Sequence, residues 1–123
     1  YTRAIDHLNG LPQDSRVVFF WETRSLYCDE TRITCDEDTI LYRWWHDRRT
    51  IGDGSAEAIV DHYRQMGVHY LFVLNPHSVY NNQFEIANLL TPEDKEEWDD
   101  VPPLLELVWD DNQNYMLYKI PES

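Results

Sequence analysis

Apolar and polar residues alternate between two periods along this chain, and the switches between them mark its elements. Val17 to Trp21 (VVFFW) is an unbroken run of β-branched and aromatic residues. A strand with one wet face would alternate, so this run predicts a strand covered on both faces, as in the middle of a parallel sheet. Residues 69–74 (HYLFVL) read the same way. Thr31 to Cys35 predicts a shorter strand by β-propensity. Leu104–Trp109 and Tyr115–Ile120 flank a polar Asp110–Asn114 segment, which predicts an antiparallel hairpin.

The helical period fills the gaps. Tyr1, Ala4, Ile5 and Leu8 share one face, with Asn9-Gly10 as a stop that suits the left-handed conformation. Thr23–Tyr27 predicts a short helix or turn. Asp36, Glu37 and Asp38 stand where a helix should begin, ahead of an apolar face of Ile40, Leu41, Trp44 and Trp45. Ala56, Ile59, Val60, Tyr63 and Met66 form the clearest stripe, closed by Gly67. Phe84 to Leu90 predicts a partly buried, irregular or helical segment. Thr91-Pro92-Glu93-Asp94 predicts a helix start, with Thr as cap and Pro at the first position.

The order helix, strand, strand, helix, helix, strand predicts an α/β fold. We read it as a three-layer, Rossmann-like open sheet. Its parallel core strands are 16–21, 31–35 and 69–74, with the hairpin 104–109/115–120 added antiparallel. At 123 residues the chain reads as a single domain, 1–123. Its hydrophobic content of 42% suits a packed core.

Charge narrows the partners. The net charge is −13, with only 10 Lys and Arg. Neutralising phosphates takes clustered basic residues, so nucleic acid and anionic membrane surfaces are poor partners. No apolar run approaches the roughly 20 residues that span a bilayer. The chain opens at Tyr1 with a helical pattern rather than a Met start or signal peptide, which we read as a piece of a longer protein.

In open α/β sheets, ligands bind outside the strand carboxyl ends. Glu22 and Arg24 follow the first strand, and Asn75 and His77 follow the third. These four are the candidate crevice residues, against the plainer reading of a surface ion pair or helix cap for Glu22 and Arg24. The turn after the first strand has no Gly, so a pyrophosphate cannot approach it as in a conventional nucleotide site. The acids after the second strand then read as helix caps. The five histidines lack metal-ligand spacing, and no catalytic residue, metal or cofactor is assigned. Asp110-Asp111-Asn112 lacks the Gly and distal Glu of a calcium loop. Cys28 and Cys35 are either buried thiols or one disulfide formed in an oxidising compartment, the second being slightly favoured. Trp44, Trp45 and Trp98 are core residues, or a partner surface if exposed.

The stretch Leu11 to Cys28 (LPQDSRVVFFWETRSLYC) resembles one in large bacterial membrane proteins of the dolichyl-phosphate-mannose–protein mannosyltransferase type. Gly67 to Asn75 (GVHYLFVLN) and Leu90 to Asp94 (LTPED) are similar to the tails of the same proteins. The resemblance implies a soluble, extracytoplasmic domain after the last membrane helix, and the membrane-embedded part of the same chain as its first partner. That family's catalytic acids sit in loops between membrane helices, so none is carried onto this sequence. A domain without them would bind glycan or polypeptide acceptor, or a partner. The competing reading is a small soluble α/β enzyme or nucleotide-binding protein that uses the crevice.

Overall fold

The computed structural model describes residues 2–22, 27–38, 43–74, 90–111 and 114–122. Among the described residues, four helices and five strands follow in mixed order. They are α1 (Thr2–Asn9), β1 (Arg16–Phe20), β2 (Thr34–Asp36), α2 (Arg43–Thr50), α3 (Ala56–Gln65), β3 (Tyr70–Leu74), α4 (Pro92–Trp98), β4 (Glu106–Asp110) and β5 (Tyr115–Lys119). The strands form one mixed sheet in the order β2-β1-β3-β5-β4. Strands β2, β1 and β3 are parallel, while β5 runs antiparallel to β3 and to β4.

The unbroken apolar run is explained by two cores. Val17 and Phe19 join one cluster with Ala4, Ile5 and Leu8 of α1. Val18 and Phe20 join another, with Trp44 of α2, Ile59 and Tyr63 of α3, and Trp98 of α4. Successive strand residues point to opposite faces. Both faces of β1 are therefore dry, and each fully buried Phe contributes roughly 2–3 kcal/mol.

Local chemistry sets the boundaries. Thr91 caps α4 through its side chain, and Asp94 returns a bond to the Thr91 N–H at 3.0 Å, a complete capping box. Gly67 takes φ +82 after α3, the left-handed conformation expected of a helix stop. Gly10 follows α1 without a positive φ; its N–H instead bonds back to the Asp6 and His7 carbonyls at 3.2 Å.

Several expected boundaries shift: β1 ends at Phe20 rather than at residue 21, and β3 begins at Tyr70 rather than at residue 69. Strand β2 begins at Thr34, because Asp29 binds Thr31–Ile33 into a turn: its carboxylate accepts the Thr31 N–H and its carbonyl those of Arg32 and Ile33. The hairpin begins at Glu106, since Pro102–Leu104 form a single 3-10 turn. Met66 stands outside the apolar stripe of α3; it caps the helix and is exposed. The predicted segments 23–27 and 84–90 lie wholly or mostly outside the described residues, as do Ile40 and Leu41.

Cys28 and Cys35 form a disulfide, with Cα atoms 6.5 Å apart. It ties Cys28, just ahead of the Asp29 turn, to strand β2. Asn9, at the end of α1, holds the same segment: its side chain donates to the Tyr27 carbonyl at 3.2 Å and accepts the Asp29 N–H at 2.8 Å. A bonded Cys28 offers no thiol nucleophile.

Candidate functional site

Among the described residues, three places gather buried polar groups. The first is the carboxyl end of β1, where the candidate crevice was expected. Phe20 closes the strand, and Trp21 then turns into the left-handed region with φ +61. A bulky L-residue pays roughly 1–3 kcal/mol there, so its surroundings must hold it. Asp38, itself buried, accepts the Trp21 N–H at 2.8 Å. The Trp21 ring meets Trp98 edge-on at 4.8 Å. The turn aims Glu22 inward rather than out to solvent. It is 4% exposed, and Tyr115 of β5 donates its hydroxyl to the Glu22 carboxylate at 2.8 Å.

Of the four expected crevice residues, Glu22 is thus a buried hydrogen-bond acceptor in the sheet. Arg24, Asn75 and His77 lie outside the described residues. The acids after β2 divide their work. Asp36 ends the strand and meets Arg16 at 3.4 Å. Asp38 accepts the N–H of Arg43 at 3.1 Å as well as that of Trp21, so it links the entry of α2 to the end of β1.

The second place is a cleft of about 1040 Å³ beside β2. Val18 and Asp36 belong to its sheet side, His46 and Asp47 to its α2 wall, and His62 and Tyr63 to its α3 wall. Asp47 is 4% exposed. The Tyr63 hydroxyl donates to its Oδ2, and His46 Nδ1 stands 3.8 Å from its Oδ1. Burial pushes the Asp47 carboxyl above its ordinary range. Tyr63, Arg43 and His46 pull the other way without cancelling it. Burial, and then the Asp47 charge, raises the Tyr63 phenol in turn.

At the third, α2 and α4 bury a fourth carboxylate, Asp94, at 3% exposed. Arg48 reaches its Oδ1 at 3.1 Å and Arg49 its Oδ2 at 2.9 Å. Burial raises this carboxyl, but the bonds from Arg49, the Thr91 N–H and Arg48 outweigh that and hold it below its ordinary range. Trp44 Nε1–H donates to the Asp94 carbonyl at 2.7 Å. Trp44 and Trp98 are core residues, whereas Trp45 is half-buried under the Arg49 guanidinium, 4.5 Å from its ring centre.

Sequence reasoning did not single out Asp47. His46, Asp47, Arg48 and Arg49 read together as the mixed-charge close of a helix, and only the fold turns Asp47 inward. Among the described residues no three His, Cys, Asp or Glu side chains gather as a metal site would require. No described helix is long and apolar enough to cross a membrane. No family model, curated protein or solved structure matches the chain.

Proposed function

We propose that this chain is a non-catalytic extracytoplasmic domain of a membrane-embedded, lipid-linked-sugar glycosyltransferase-like protein. It binds glycan or polypeptide acceptor, or a partner, rather than transferring a group. The Cys28–Cys35 disulfide carries this reading, because such bonds persist in oxidising compartments and are rare in reducing ones. The buried carboxylates add support. Glu22, Asp38 and Asp94 accept hydrogen bonds that join strand to strand, strand to helix, and helix to helix. The parallel β2-β1-β3 core with an apolar cluster on each face likewise supports a three-layer, Rossmann-like class.

The reading frame upstream of Tyr1 tests this directly: it should encode several membrane spans, and a frame without them rejects the proposal. The disulfide offers a second test. Protein exported to the periplasm should carry no alkylatable thiol before reduction and two after it. Two thiols open to alkylation in the exported protein would remove the main support.

The second reading, a soluble enzyme or nucleotide-binding protein, draws on one observation. Trp21 holds a strained conformation at a strand carboxyl end, and such strain clusters at functional sites. A thermal-shift screen of nucleotides and sugars distinguishes the two, since a ligand that binds only folded protein raises Tm. A nucleotide shift removed by Glu22→Gln would favour the second reading.

A further inference from the structure

The cleft beside β2 holds a buried carboxylate in an arrangement that Asp94 shows to be incomplete. Both acids are at least nine-tenths buried, at 4% and 3% exposed. A carboxylate taken from water is costly unless a cation or several donors replace the lost hydration. Asp94 has two guanidinium groups and a backbone N–H. Among the described residues Asp47 has one close donor, the Tyr63 hydroxyl on Oδ2. At 3.8 Å, His46 Nδ1 is too far to hydrogen-bond to Oδ1.

The arginines nearby direct their hydrogen bonds elsewhere, although Arg43 and the His46 imidazole act on Asp47 through space. Arg43 donates to the Glu37 and Asp36 carbonyls at 2.8 and 3.4 Å. Arg16 binds the Met66 carbonyl at 3.0 Å and the Asp36 carboxylate at 3.4 Å. Asp36, Glu37, Asp38 and Asp47 line the cleft against Arg16 and Arg43, and with a net charge of −13 behind them the acids prevail and draw cations. Its walls are not purely polar: Val18, Ile51 and Val68 line it beside the Tyr63 ring. Its volume of about 1040 Å³ suits a small organic molecule.

We propose that this cleft binds an organic ammonium ion, with Asp47 Oδ1 accepting its N–H and the apolar wall holding its hydrocarbon body. The Tyr63 hydroxyl keeps the carboxylate oriented, and an aromatic ring beside the ammonium adds a cation–π attraction. The proposal needs no particular parent protein, so it stands or falls apart from the accessory-domain reading.

The probes are benzylammonium and cyclohexylammonium, each against its neutral isostere, benzyl alcohol and cyclohexanol. Both ammonium compounds should raise Tm saturably in the millimolar range, and the alcohols should not. Asp47→Asn should weaken the response at least tenfold, while Glu93→Gln, an exposed acid on α4, should leave it unchanged. Equal shifts from amine and alcohol, a response that survives Asp47→Asn, or no response overturns the proposal. If Asp47→Asn does not fold, carboxyl carbon NMR of the wild-type protein decides instead. Benzylammonium must then move the Asp47 signal and leave that of Asp94 in place; a stationary Asp47 signal rejects the site.

Discussion

Asp47 and Asp94 are equally hidden from solvent, at 4% and 3% exposed, though Asp47 lies deeper among protein atoms, and α2 has a part in both sites. Their environments differ in every other respect. Asp94 lies between two arginines of α2 and caps α4 at the same time. It works as a rivet between helices that are 46 residues apart in its Arg48 contact. Asp47, one residue before Arg48, faces α3 and the cleft with a phenol for company. Two acids of equal exposure therefore have opposite displacements, Asp94 downward under its bonds and Asp47 upward under its deeper burial. The difference teaches that burial alone does not identify a structural acid; the partner set does.

The comparison breaks most visibly at Asp94. Asp94→Ala removes the helix cap and leaves Arg48 facing an empty pocket, which should cost about 3 kcal/mol in urea unfolding. A loss below about 1 kcal/mol would mean that the rivet is ornamental. Trp44→Phe keeps the aromatic volume but strips the donor from the buried Asp94 carbonyl, and should cost about 1.5 kcal/mol in the same measurement. Tyr63→Phe removes the hydroxyl donor to Asp47 and should cost about 1 kcal/mol at neutral pH.

Asp47→Asn should have the smallest effect, and on the stabilising side, within about 1 kcal/mol at neutral pH. The sign follows from linkage. A carboxyl raised in the folded state binds more protons folded than unfolded, so stability falls as pH rises from the ordinary Asp value, about 3.9, through the higher folded value. The Asn variant escapes that fall, so its advantage should vanish in acid. Asp94 behaves oppositely: its contribution is complete above about 3.9 and is lost as pH falls through its lower folded value. Urea midpoints of Asp47→Asn and wild type across pH 3 to 8 should therefore diverge upward. Parallel curves would remove the contrast.

Local features of this fold were legible in the sequence, and long-range ones were not. Val17–Phe20 and Tyr70–Leu74 announce buried strands because two-sided burial removes alternation. Thr91-Pro92 announces a helix because the capping chemistry is contained in four residues. The register of β1 against β3 could not be read, nor the Tyr115–Glu22 bond across 93 residues. Trp21 was counted as strand because aromatic residues favour strands, while its left-handed turn is imposed by Asp38 from outside. Met66 kept the helical spacing but fell at the cap, where Gly67 ends the turn. Asp47 was hidden for the same reason as the rest: its character is set by α3, and sequence spacing does not report which helix faces which.

Carboxyl carbon NMR titration of the two acids tests the central contrast most directly. The account predicts that Asp47 titrates above the ordinary aspartate range and Asp94 below it, in one sample and one experiment. Both acids titrating together near the ordinary value, or the order reversed, would contradict it.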